Sequence, residues 1–510
     1  MPTTSENNKR IMKNTVFLYI RMFFIMGIAL FTSRVVLKTL GVVDFGIYNV
    51  IGGVVSMMGV VNSAMSVATS RYLTFNLGKN DTEELHKTFC ISLTIYLWMC
   101  LIFFLLAEAI GVWFINTQLN IPSERVTAAN WVFQFTIFST IFAFLQNPYS
   151  SSVIAHERMN FYSVISIIEA IFKLVIVYCL LTIPFDRLIV YSGLYMIISL
   201  SVFLSYRYYC IRHFEECHFV AYKDSKLFHD ILSFSGWNMF GALAGIARTQ
   251  GLNILLNIFF NPVVNAARGI AVQVSAATSM FYGNFSLATR PQITKYYAQK
   301  DYNNMNLLVF RSSKFSFFLL WIISLPILIE TPTIIRLWLG QIPEYVIQFT
   351  RIIILITAVD SLSSPIMTIC HATGHIKLYQ FVVGMINIMT LPVSYIFLKL
   401  GYPPISVFIV SLIMTIIATL LRLIIAKKLV PQFPLISYCG KVVVLSFLVA
   451  FFSSLIPLWY HSHFEQTLLN AIINGSIAVV ITILIVFFWG MNKSERGYIL
   501  QLIQAKVFHK

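Results

Sequence analysis

The chain reads as a succession of apolar runs of about 20 residues or more, joined by short polar connections. Runs of that length suit helices crossing about 30 Å of hydrocarbon. The strands of a membrane barrel would instead alternate apolar and polar residues over about 10 positions. Fourteen spans are predicted: 14–37, 45–69, 88–115, 127–150, 161–183, 188–210, 231–259, 262–290, 312–336, 346–370, 378–399, 404–426, 441–459 and 468–491. The pattern is that of an all-α polytopic membrane protein. The first run follows Lys9, Arg10 and Lys13 as a signal peptide would, but it contains Arg21 and Arg34 and shows no clear cleavage site. It is read as a retained first helix.

Composition agrees. Of 510 residues, 58% are hydrophobic and 11% charged, and the mean hydropathy is +0.79. Soluble proteins carry about 25% charged residues, so a soluble enzyme is excluded. Disorder is excluded by the same hydrophobicity, and seven cysteines are too few for a disulfide scaffold. The formal charge is +16. With the N-terminus in the cytoplasm, about 25 Lys and Arg flank the inner span ends and about 6 the outer, as the positive-inside rule requires. The inner set includes Arg71, Lys79 and Lys87, then Arg311 and Lys314. Both termini are expected in the cytoplasm. The segment 494–510 reads as an amphipathic surface helix or a solvated tail.

The chain repeats itself. Ser66-Val67-Ala68-Thr69, Thr74 and Asp81 recur as Ser286-Leu287-Ala288-Thr289, Thr294 and Asp301; Pro148, Ala155 and Tyr162 recur as Pro365, Ala372 and Tyr379. Two parallel six-helix lobes follow, 14–212 and 225–428, with an extra helix pair at 441–491. In the second span Asn49, Gly52, Ser56, Gly59, Ser63, Ser66 and Ser70 share one face. Close helix packing and a polar pathway both account for that stripe. The eighth span has Asn265, Arg268, Ser275 and Ser279, where an arginine makes packing the poorer account.

Charges inside spans cost about 2.5–3.5 kcal/mol each and mark function by default. Arg21, Lys173, Arg248, Arg268 and Arg351 are such residues, with Glu108, Glu169 and Asp360. Arg21, Arg268 and Arg351 lie near enough to a surface to snorkel. Glu169 precedes Lys173 by four residues, so the two either neutralise each other or serve a site. Arg248 has no such neighbour, and Gly241 and Gly245 leave room beside it. Its planar guanidinium suits phosphate. Asp360 is either a proton or sodium site or a partner to a buried arginine. No phosphate-binding Gly-rich loop and no nucleophile–base set stands out. His371 and His375, His461 and His463, and the group Cys210, His213, Cys217 and His218 have metal-like spacing near membrane surfaces, but no metal or other cofactor is expected. A membrane glycosyltransferase or polymerase would need a large external loop, and the longest, about 207–230, is short and basic.

The run Ser33-Arg34, Leu40-Gly41, Asp44-Phe45-Gly46 and Tyr48 resembles the segment joining the first two helices of polysaccharide transporters. These belong to the multidrug/oligosaccharidyl-lipid/polysaccharide (MOP) flippase superfamily. The resemblance implies a V-shaped, MATE-like protein of the bacterial inner membrane. It implies transport of an undecaprenyl-pyrophosphate-linked oligosaccharide, such as an O-antigen, capsule or exopolysaccharide repeat unit, to the periplasmic leaflet. Membrane lipids, a polysaccharide polymerase and other export proteins are the implied partners; nucleic acid is not. Arg21, Arg248, Arg268 and Lys173 match the basic lumen of such transporters, and Asp360 and Glu169 would couple transport to a proton or sodium gradient. Two alternatives stand beside this reading. A multidrug–cation antiporter would favour carboxylates in the cavity, and a lipid II flippase would carry more cavity charge.

Overall fold

The computed structural model describes residues 4–56, 59–119, 121–180, 185–260, 262–493 and 495–497. The described residues form helices and connections, with no β-strand among them. In chain order the helices are α1 (Thr4–Ser56), α2 (Gly59–Lys79), α3 (Thr82–Leu106), α4 (Val112–Thr117), α5 (Val126–Ala155), α6 (Met159–Cys179) and α7 (Arg187–His213). There follow α8 (Ser225–Phe259), α9 (Pro262–Ala298), α10 (Tyr302–Ile329), α11 (Thr331–Leu339), α12 (Val346–Ala372), α13 (Lys377–Lys399) and α14 (Ile405–Leu429). Last come α15 (Leu435–Tyr438), α16 (Leu445–His463) and α17 (Leu468–Ile485).

Among the described residues every predicted span falls on helix, but the helices overrun the apolar runs. Among the described residues, 11 helical stretches are long and apolar enough to cross a membrane. The seventh and eighth predicted spans are helical without reaching that threshold, and the second includes residues 57 and 58, which lie outside the described residues. The seventh and eighth carry Arg248 and Arg268 among other polar residues, which depress their hydropathy. Elsewhere the surface is that of a protein in lipid: Leu105, Trp113 and Phe447 are each more than half exposed. The tail expected at 494–510 lies outside the described residues, apart from 495–497.

The chain divides into two compact units, Met1–Ala242 with Thr294–Asp301, and Leu243–Ile293 with Tyr302–Lys510. In the first, α5 packs on α7, α1 on α6 and α2 on α5. In the second, α12 packs on α14 and α10, α13 on α14, and α17 on α16 and α10. The sequence repeat is also a repeat of backbone geometry. Asn80 (φ 56°) and Lys300 (φ 59°) are both left-handed and close α2 and α9. Their N–H groups donate to Leu77 and Tyr297 carbonyls at 3.2 and 3.0 Å. The next N–H in each, of Asp81 and Asp301, donates to Asn76 and Tyr296 at 3.2 and 2.9 Å, satisfying carbonyls at the helix end. Asp81 then caps α3, accepting from Glu84 N at 3.0 Å. The second match behaves alike. After α5 and α12 the chain turns through Glu157 (φ 60°) and Gly374 (φ 80°).

The segment resembling polysaccharide transporters has a structural task. Instead of a loop after the first span, α1 continues through a single kink at Gly41 (φ 80°, ψ 169°), a conformation essentially confined to glycine. Just beyond it, Asp44 accepts from Arg125 Nε at 2.8 Å. Arg125 also donates to Asp186, the residue that caps α7, so one guanidinium ties the kink to the starts of α5 and α7. Burial by itself would raise the Asp186 carboxyl. Arg125 and the backbone N–H groups of Ile189 and Leu188 outweigh it and hold the pKa below its ordinary value.

Candidate functional site

In the first unit, Lys173 Nζ donates to Glu169 Oε1 at 2.6 Å, one helical turn away, and stands 4.7 Å from the centre of the Tyr195 ring. The two side chains therefore form an ion pair. The Arg21 guanidinium lies over the ring of Tyr162, 4.6 Å from its centre, a cation–π contact, and among the described residues it is in no ion pair with a carboxylate. Glu169 also borders a cavity of about 460 Å³ lying wholly within this unit. Thr136, Ser139, Thr140 and Gln146 of α5 form one wall. Ser192, Tyr195 and Ser199 of α7 form another, and Tyr48, Gly52, Gly59 and Asn62 close it from α1 and α2. Gly52 and Gly59 belong to the stripe singled out in the second span.

In the second unit the guanidinium of Arg248 does not occupy free room. It donates to Asn387 Oδ1 at 3.2 Å, Ser411 O at 3.3 Å and Thr415 Oγ1 at 3.1 Å, all on α13 and α14. Those acceptors are 139 to 167 residues away, which is why the α8 sequence alone shows no partner. Arg268 is 9% exposed and reaches back to α8, donating to Thr249 O at 2.6 Å and Asn253 Oδ1 at 3.2 Å. It is therefore held inside the unit rather than snorkelling. Asp360 takes a partner the sequence did not single out, Arg422 of α14, at 3.1 Å. Asp360 is in an ion pair with an arginine other than the intramembrane ones the sequence singled out. The structure thus brings Glu169 to Lys173, and Arg268 to the turn of α8 that follows Arg248. Asp360 joins neither Arg248 nor Arg268 in an ion pair.

Other expectations resolve as structural contacts. Arg351 does not snorkel: its Nε donates to Leu328 O at 2.9 Å and its Nη2 to Ile329 O at 3.4 Å, capping α10 where it breaks into α11. Lys314, expected beside a connection, is buried and donates to Glu495 Oε2 at 3.1 Å; Arg311 meets the same carboxylate at 3.2 Å. Arg71 stands within α2 with its guanidinium 4.5 Å from the Tyr72 ring centre and 4.6 Å from that of Phe75. His461 Nδ1 lies 2.9 Å from Glu330 Oε1, which also accepts from Asn474 at 2.6 Å. Among the described residues no group of His, Cys, Asp or Glu is arranged to hold a metal ion.

Two units with recurring helical geometry, buried guanidinium groups in one and a cavity in the other, make up a multi-pass membrane protein. The chain is similar to a multidrug resistance MATE family transporter of the MOP superfamily in an outward-facing conformation, with 14% identity and a TM-score of 0.71 over 85% of this chain and 99% of the other. It is similar to a MATE transporter in a straight conformation, at 14% identity and a TM-score of 0.72 over 84% and 97%. It is also similar to a MOP superfamily transporter from Pyrococcus furiosus whose reversed pocket polarity suggests a different function for that protein, at 14% identity and a TM-score of 0.69 over 85% and 99%. At such identity these likenesses establish the fold. Residues 11–296 match the polysaccharide biosynthesis protein family, and the chain belongs to that family. No curated protein matches it significantly.

Proposed function

We propose that this protein flips an undecaprenyl-pyrophosphate-linked oligosaccharide from the cytoplasmic to the periplasmic leaflet of a bacterial inner membrane, by alternating access and with both termini in the cytoplasm. The observation that carries the reading is the company of its intramembrane arginines. Arg21, Arg248 and Arg268 meet a tyrosine ring, amide and hydroxyl oxygens and backbone carbonyls, and none is in an ion pair with a carboxylate among the described residues. Neutral partners soften the cost of burying a guanidinium but leave its charge in place, and a pyrophosphate completes it. The same excess of positive charge opposes a cation antiporter, because Glu169 and Asp360 are both already matched by a base. A coupling proton or sodium ion at either carboxylate would have to displace Lys173 or Arg422.

The test follows lipid-linked oligosaccharide in a strain lacking the gene and complemented with variants. Wild type restores export; Arg248→Ala restores little, so the lipid-linked precursor builds up on the inner leaflet while the protein remains in the membrane at normal level. Arg248→Lys keeps the charge and recovers part of the export. Normal export by the alanine variant removes Arg248 from the mechanism, and a deletion strain that never accumulates the precursor overturns the function itself.

A further inference from the structure

We propose that the 460 Å³ cavity within the first unit seats a sugar ring of the transported glycan, a proposal that rests on the flippase reading above. Its size lies in the range of about 300–1,000 Å³ used by small-molecule sites. Its chemistry narrows the class of ligand. The hydroxyls of Thr136, Ser139, Thr140 and Ser199 donate their protons to carbonyls four residues earlier, at 2.7, 2.8, 2.8 and 3.2 Å. Each hydroxyl then has only lone pairs left to offer the cavity. A wall of acceptors calls for a ligand rich in O–H donors, and the Gln146 amide adds a donor and an acceptor that fix orientation.

Charge decides between a polyol and a cation, the two ligand classes that satisfy acceptors. Glu169 is the one carboxylate among the lining residues, and Lys173 already occupies it at 2.6 Å. The cavity is therefore a mainly apolar space set with uncharged oxygens and carrying no net negative charge, and a cation gains little there. Tyr48 and Tyr195 supply apolar ring surface suited to the C–H face of a pyranose. Apolar ring and aliphatic surface interrupted by hydroxyl acceptors, without net charge, matches the alternating C–H and O–H groups of a sugar. The pyrophosphate, being anionic, is left to the arginines.

The experiment measures binding to the full-length protein in lipid nanodiscs. The probes are the lipid-linked oligosaccharide extracted from the deletion strain, undecaprenyl pyrophosphate, and tetraphenylphosphonium. Wild type binds the glycosylated lipid at least about tenfold more tightly than undecaprenyl pyrophosphate, because an unfilled polar site rejects a ligand lacking the matching groups. The near-isosteric variants Gln146→Leu and Thr140→Val, checked for unchanged thermal melting, lose most of that advantage. Tetraphenylphosphonium does not compete. Equal binding of the two lipids by wild type, or an advantage that survives in both variants, overturns the sugar seat while the flippase reading stands. Competition by tetraphenylphosphonium at the cavity overturns the sugar seat in favour of a cation site. Failure of wild type to bind either lipid overturns both readings together.

Discussion

Arg422 Nη1 donates to Asp360 Oδ1 at 3.1 Å and to Ser363 Oγ at 2.6 Å, bringing α14 to α12 within the second unit. The pair consumes the one carboxylate of α12 and so leaves Arg248, on α8, with neutral oxygens. The Asp360 side chain is 36% exposed against 15% for Arg422, so the pair is less desolvated than a fully buried one. Arg422→Ala is expected to lower stability by about 1–3 kcal/mol. Adding Asp360→Ala returns part of the loss, because the stranded carboxylate goes with it. Thermal melting of the purified variants checks this; equal melting of wild type and Arg422→Ala would remove the pair from the fold's support.

Gly41 tests the kink in α1. A Cβ there would meet nothing within 4 Å, so packing places no demand on the position. Its backbone does, since φ 80° with ψ 169° suits almost no other residue. Gly41→Ala is expected to cost about 1–3 kcal/mol, and Gly41→Asn offers no relief, because asparagine tolerates the left-handed helical region rather than this one. Melting temperature reports both variants, and an unchanged value for Gly41→Ala would refute the backbone account.

Glu157 combines strain with charge. Its carboxylate is fully buried, accepts from Lys295 Nζ at 2.7 Å and lies 2.7 Å from Arg10 Nε. Glu157→Ala removes the counter-charge and keeps the left-handed backbone, and is expected to cost about 3–5 kcal/mol. Glu157→Gly removes the same charge but eases the backbone by about 1 kcal/mol. Denaturation curves should rank wild type above glycine and glycine above alanine. The reverse order of the two variants would show that strain is not stored there.

What the sequence reveals follows the range of the interactions involved. Helices, and the pairing of Glu169 with Lys173, depend on neighbours three or four residues apart, and periodicity exposes both. The left-handed turns at Asn80 and Lys300 leave matching residues at fixed offsets, so the repeat is equally plain. Arg422 is hidden from Asp360 by 62 residues, and Arg248 from Thr415 by 167. The cavity wall was half visible. Thr136, Ser139, Thr140 and Gln146 stand at helical spacing, but small hydroxyl residues at that spacing also serve close helix packing. Hydropathy marks the depth of the bilayer and not the ends of helices, so Arg71 and Lys79 read as connection residues although α2 carries both.

At corresponding joints of the two halves, one chain position holds glycine and the other an acidic residue clasping two bases. A duplicated architecture has therefore lost its even-handedness at one hinge. Losing the carboxylate of Glu157 strands Arg10 and Lys295 in the first half and has no counterpart at Gly374, so the two joints answer differently to the same kind of substitution.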